Sequence, residues 1–169
     1  MENPGHREKR KRSETADLNA LFKRASKQYD DGNLQSAFRL FLAAAKAGDS
    51  GAQLALGNFY SNGTGVRRNR ARALYWYMRA YRQGYGPAAS NIAVIFRDEN
   101  NLERALAWFE RAIDLNDADA NLEIAKICLQ RSDTKKATYY LKQASRAKTG
   151  KITEASREEA QHLLKTLGK

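Results

Sequence analysis

Residues 52–84 read AQLALGNFYSNGTGVRRNRARALYWYMRAYRQG. Ala52, Gly57 and Tyr60 stand at offsets of five and three, and Ala73, Tyr77 and Ala80 at offsets of four and three. Each set keeps to one side of an α-helix, and the Asn62-Gly63-Thr64-Gly65 run between them is a turn signal. The stretch therefore predicts two amphipathic helices joined by a glycine loop. Alanine or glycine at the crossing lets the backbones approach to the lower end of the usual separation of about 8–10 Å, while Trp76 and Tyr77 fill the space beside it.

The same two patterns recur on either side. The first appears as Ala88/Ala93/Phe96, Ala120/Ala125/Cys128 and Ala155/Ala160/Leu163, with a weaker copy at Ala20/Ala25/Gln28. The second appears as Ala37/Phe41/Ala44, Ala105/Phe109/Ala112 and Ala137/Leu141/Ala144, and its consecutive copies are 36, 32 and 32 residues apart. Trp76 and Trp108 share one register position, which Leu40 and Tyr140 occupy in the other copies. Asp31-Gly32-Asn33, Gly84-Tyr85-Gly86-Pro87 and Lys148-Thr149-Gly150 punctuate the intervals. A repeat of this length is one helix pair that buries its second apolar flank only against a neighbour. The expected fold is all-α: four helix-turn-helix repeats at about 14–48, 49–84, 85–116 and 117–148, then a closing helix at 153–167. In that last helix Ser156 precedes Glu159 by three, and Ala160, Leu163, Leu164 and Leu167 form an apolar stripe opposite Glu158, Gln161 and Lys165.

Residues 52–84 resemble a Sel-one-like repeat of the tetratricopeptide superfamily. Leu56-Gly57, Tyr60, Gly63-Thr64-Gly65-Val66, Ala73, Trp76-Tyr77, Ala80 and Gly84 fall on that family's consensus. The other units place the first-helix small residue 12 before the second-helix alanine rather than 16, the tetratricopeptide spacing, while the join between units stays at eight. The array thus reads as Sel-one-like, with the Gly-Thr-Gly-Val loop in one unit. The resemblance covers residues 20–147 well and 153–167 weakly. It implies a right-handed α/α superhelical solenoid acting as a non-catalytic protein- or peptide-binding scaffold or adaptor, with the first helix of each pair lining a concave groove.

In that register the groove shows Phe22, Ser26 and Tyr29, then Leu54, Asn58, Ser61 and Asn62, then Ser90, Val94 and Arg97, then Leu122, Lys126 and Gln130. This mixture of apolar, amide and basic groups suits a protein or peptide partner with acidic residues. Some tetratricopeptide domains hold a C-terminal carboxylate with two Lys-type, two Asn-type and one Arg-type position. Only Asn58 and Lys126 match, while Phe22, Ser26 and Leu122 do not, so that clamp is not expected.

No catalytic, metal or cofactor constellation has recognisable spacing. His6 and His162 lack ligand partners, Cys128 takes a core position of the repeat, and Gly63-Thr64-Gly65 lacks the preceding strand and following Gly-Lys-Ser/Thr of a phosphate loop. The chain is not expected to be an enzyme or to need a cofactor. The paired cysteines of the Sel-one-like branch linked to β-lactam hydrolysis are absent, so that activity is not carried over.

Among the 169 residues, 42% are hydrophobic, enough for an ordinary core, and the single cysteine excludes an intramolecular disulfide and fits a reducing, cytoplasmic setting. No apolar run approaches the roughly 18 residues of a membrane span, and no signal peptide is visible. The formal charge is +11. Residues 1–13 carry five basic and two acidic side chains and read as a disordered basic tail, so most of the excess lies on the repeats of residues 14–167. Between residues 50 and 97 there is no Asp or Glu, and the basic residues are all arginines. Arg67, Arg68, Arg70, Arg72, Arg79 and Arg82, with Tyr75, compose a basic face whose reading, second to the groove, is nucleic-acid (RNA) binding.

Overall fold

The computed structural model describes the backbone of residues 4–168 and the side chains of residues 6 and 16–168. It has the expected all-α repeat fold, four helix pairs followed by one more helix, in two compact units, Met1–Gln83 and Gly84–Lys169. In the first unit α1 (Pro4–Asp30) packs on α2 (Leu34–Lys46), α2 on α3 (Ser50–Asn62) and α3 on α4 (Arg70–Tyr81). In the second, α5 (Gly86–Asp98), α6 (Leu102–Asp114), α7 (Asp119–Gln130) and α8 (Thr134–Arg146) pack in succession, and α9 (Glu154–Leu167) rests on α8 and α7. Among the described residues the one β-type pairing is the isolated bridge between Thr149 and Ile152.

The small residues of the repeat lie at the helix crossings. Ala37, Ala44, Ala73, Ala80, Ala88, Ala93, Ala105, Ala112, Ala125, Ala137 and Ala144 are fully buried, with Phe41, Tyr77, Phe109 and Leu141 beside them. Gly57 marks the tightest approach: a Cβ there would stand 2.1 Å from the Tyr77 ring. Only at the ends does the pattern weaken, for Ala20 and Ala155 are exposed.

Asparagine or aspartate precedes the second helix of every pair, at Asn33, Asn69, Asn101 and Asp133. The side chains of Asn69, Asn101 and Asp133 accept the backbone N–H three residues on, at 3.0, 3.2 and 3.0 Å, satisfying donors that the helix start would otherwise orphan. The extra length of the loop in the second repeat, between α3 and α4, is accommodated by glycine. Gly63 ends α3 with φ 75°, Gly65 has φ 65°, and a Cβ on Gly65 would come within 2.9 Å of the Leu34 Cβ at the start of α2.

One boundary differs from the sequence expectation. The first helix continues through residues 4–13 rather than ending in a disordered tail. Arg, Lys and Glu are strong helix formers and proline suits a first turn, so composition favoured helix as much as disorder. Residues 1–3 of that tail lie outside those described. The cap of α9 is Thr153: its hydroxyl accepts the Ser156 N–H, and Asp119 in turn accepts the Thr153 N–H at 3.1 Å. Among the described residues no helix is long and apolar enough to cross a membrane.

Candidate functional site

In the first unit, α1 and α3 bring together three of the seven residues there assigned to the groove. Tyr29, Asn58 and Asn62 line a cavity of about 200 Å³ with Phe41, Ala55, Phe59 and Thr64. Its floor is aromatic: the Tyr29 and Phe59 rings meet edge-on at 5.7 Å, and Phe41 lies 6.0 Å from Phe59. The Tyr77 hydroxyl, reaching across from α4, donates to Asn58 Oδ1 at 2.7 Å and fixes that amide at the cavity wall. Asn62 is exposed at the rim. Leu54 is half-buried outside the lining. Phe22 is likewise half-buried, turned onto Phe41 at 5.5 Å.

The sequence reading missed Phe41, Ala55, Phe59 and Thr64 as lining. It assigned Phe41 to the core, where it also lies, and Phe59 carries no repeat signature. A large apolar residue beside the Asn58 position was the available signal.

The second unit treats its assigned positions differently. Arg97 pairs with Glu123 and, at 3.5 Å, with Asp98. Lys126 Nζ donates to Glu123 at 3.2 Å and to Glu159 of α9 at 3.0 Å. Burial by itself would lower the Lys126 ammonium pKa, and the Glu159 and Glu123 carboxylates outweigh it and raise it. The two cations that suggested an acidic partner are thus neutralised within the fold. Gln130 is exposed, whereas the Ser90 hydroxyl is committed to Asp117 at 2.7 Å, a carboxyl that burial pushes above its usual range. Leu122 is corrected from groove to core: α9 covers it, and it shares an apolar cluster with Leu141, Ile152 and Ala160. Asn58 and Lys126, the two residues matching a carboxylate clamp, are each engaged inside their own unit.

The basic face lies on α4 and the loop before it. Arg67, Arg68, Arg70, Arg72 and Arg82 are exposed and Arg79 is half-exposed. Arg72 lies over the Tyr60 ring at 5.4 Å, and Arg79 over Trp76 at 5.4 Å with a 3.4 Å hydrogen bond to the Tyr75 hydroxyl. Tyr75 is 55% exposed. Among the described ion pairs none involves Arg67, Arg68, Arg72, Arg79 or Arg82.

Cys128 is buried, which pushes its thiol pKa up and away from the reactive thiolate, and His162 is exposed. Among the described residues no group of three or more His, Cys, Asp or Glu is placed to hold a metal ion.

Comparison with known proteins places this geometry in a family. A model of the Sel1 repeat matches residues 26–49, 50–85, 95–117 and 120–148, more than half of the chain. The chain is also similar to a Sel1 repeat protein from Oxalobacter formigenes, at 22% identity and a TM-score of 0.67 over 88% of this chain and 73% of that one. A second likeness is to c5321, a protective antigen of uropathogenic Escherichia coli strains with an SLR fold, at 24% identity and a TM-score of 0.69. That match covers 94% of this chain but only 36% of the antigen, and at such identities the two likenesses speak to the fold. No curated protein matches the chain. Two of the matched segments span the helix pairs α3–α4 and α7–α8, the other two take in α2 and α6 with the last turn of the helix before each, and the chain belongs to the Sel1 repeat family.

Proposed function

We propose that the chain is a non-catalytic scaffold that binds a protein or peptide along the first-helix face of its repeats, seating one apolar side chain in the cavity between α1 and α3. Sel1 repeats generally serve protein interaction, which supports the class of function. The observation that carries the site is the convergence of Tyr29, Asn58 and Asn62 on one cavity, since register alone had put those three residues on a partner-facing surface.

Size decides what enters. A cavity of about 200 Å³ falls below the roughly 300–1,000 Å³ of drug-sized ligand sites, so it holds one side chain rather than a cofactor. The rings of Tyr29, Phe41 and Phe59 give that side chain an apolar seat, and the exposed Asn62 amide offers a donor and an acceptor to a passing peptide backbone. With Arg97 and Lys126 already paired, the anchor is apolar and the partner's charge is secondary in the second unit.

The test is affinity capture from a nuclease-treated lysate of the source organism with wild type, Tyr29→Ala/Asn62→Ala and Arg79→Glu/Arg82→Glu proteins, read by mass spectrometry. A partner retained by wild type and by the arginine variant, but lost from the Tyr29→Ala/Asn62→Ala variant, is the expected result. Full retention by that variant would remove the cavity from the function.

A further inference from the structure

We propose that the arginine face of α4 and its preceding loop is a second binding surface, built for single-stranded nucleic acid. Three observations carry it. The first is the absence of counter-charge: no Asp or Glu occurs between residues 50 and 97, and Arg67, Arg68, Arg72, Arg79 and Arg82 enter none of the described ion pairs. The second is orientation. Arg72 rests on Tyr60 and Arg79 on Trp76, so these guanidinium groups are held in place by rings instead of waving in solvent. The third is Tyr75, exposed within the same stripe: Arg72, Tyr75, Arg79 and Arg82 follow one another at offsets of three, four and three, a single side of the helix about 15 Å long.

The chemistry of this arrangement selects among polyanions. An acidic polypeptide would use the charges and leave the π-face of Tyr75 without a role. A duplex would meet the arginines but keep its base faces stacked inside. A single strand uses both groups, its phosphates on the arginines and an unstacked base on Tyr75. Arginine, planar and multiply donating, also suits phosphate better than the compact lysine ammonium.

The second unit supplies an internal contrast. In α6, Arg104 lies over Phe96 at 5.5 Å and Arg111 over Trp108 at 4.7 Å, in the same repeat register as Arg72 and Arg79. There, however, Glu103, Glu110 and Asp114 are interleaved, and alanine stands at position 107 where α4 has Tyr75. Stacked arginine is thus a feature of both units, while the acid-free stripe with an exposed ring belongs to α4.

Fluorescence anisotropy with labelled oligouridylate and oligothymidylate, read against salt, tests the proposal on the full chain. Wild type should bind at least one of these strands at about 50 mM salt and lose affinity steeply by 200 mM, each phosphate contact adding about −0.7 to the log–log slope. Arg67→Glu/Arg68→Glu and Arg79→Glu/Arg82→Glu should each weaken binding about tenfold or more and flatten that slope, as contacts to phosphate are removed. Tyr75→Ala should weaken binding severalfold with the slope unchanged, because stacking carries no counterion release. Arg111→Glu and Asn62→Ala should leave affinity within about twofold, keeping this surface apart from α6 and from the cavity. Circular dichroism establishes folding. Should Arg79→Glu disturb α4, the loop pair and Tyr75→Ala decide alone. Failure of both strands to bind at low salt overturns the proposal. So does equal competition by polyglutamate with Tyr75→Ala behaving as wild type, the result that would assign the face to an acidic protein.

Discussion

Gly57 shows how much one hydrogen atom in place of a methyl group can decide. In an ordinary helix, Gly→Ala gains about 1 kcal/mol from backbone propensity. Here the added Cβ would lie 2.1 Å from Tyr77 Cε1, with two further ring atoms within 2.8 Å, so the ring or the helix must move. Overpacking of that kind costs about 1–3 kcal/mol, and such deep overlap belongs at the upper end, so steric cost wins. Gly57→Ala is therefore expected to lower stability by about 1–2 kcal/mol net in urea denaturation. Gly51→Ala is the comparison: its Cβ meets the edge of the Phe22 ring at 3.1 Å and the Asp49 carboxylate at 3.3 Å, and a small give of these side chains leaves the change close to neutral. Equal behaviour of the two variants would show that the α3–α4 crossing is looser than described. The consequence reaches the cavity, because the Tyr77 hydroxyl holds Asn58 in place and a displaced ring releases it. None of this could be read from the sequence beyond the statement that position 57 wants a small residue. Which atom it faces depends on the rotamer of a residue twenty positions away.

At the scale of elements the sequence was most legible, since helix period, small-residue register and turn residues all agree. The four pairs and α9 fall where those signals put them. What the register could not show was where an element would be covered by a later one. Leu122 and Lys126 sit at positions that face outward in an interior repeat, but α9 follows α8 and closes over α7, burying the first and pairing the second. Contrasting substitutions can separate apolar packing from ion pairing in holding α9. The Lys126–Glu159 pair is 39% and 48% exposed, and such pairs are worth about 0–1 kcal/mol, so Glu159→Lys should cost no more than roughly that. Ala160 is fully buried against Leu122 and Leu141, and Ala160→Asp places an unpaired carboxyl there, at an expected cost of about 3 kcal/mol or more. Limited proteolysis should then cut the segment between α8 and α9 in Ala160→Asp but spare it in Glu159→Lys. If the lysine variant is cut as readily, the ion pair rather than the apolar face holds the closing helix.

Over the whole molecule the excess of 30 basic over 19 acidic residues sets a tension between stability and binding. Like charges gathered on an acid-free stretch repel one another in the folded chain, and that repulsion is screened within a Debye length of about 10 Å at 0.1 M salt. Between roughly 20 and 200 mM sodium chloride the melting temperature should therefore rise, by a few degrees if the repulsion amounts to about 1 kcal/mol in a chain of this size. Arg67→Gln/Arg68→Gln should raise the low-salt melting temperature and reduce its dependence on salt, because part of the repulsion is gone. A polyanion that binds the native face stabilises both proteins but favours them in the opposite order. It adds RT ln(1 + [L]/Kd) to the stability of wild type, most strongly where salt is low and Kd small, and adds less to the glutamine variant. The informative measurement is thus a melting curve for both proteins at two salt concentrations, with and without oligouridylate. Crossing of the order, with the variant more stable alone and wild type more stable with ligand, ties the stability cost of the arginine face to a polyanion. A variant that is more stable alone, and gains as much from the oligonucleotide as wild type does, would mean that the charge of residues 67 and 68 is a burden carried for some reason other than nucleic acid.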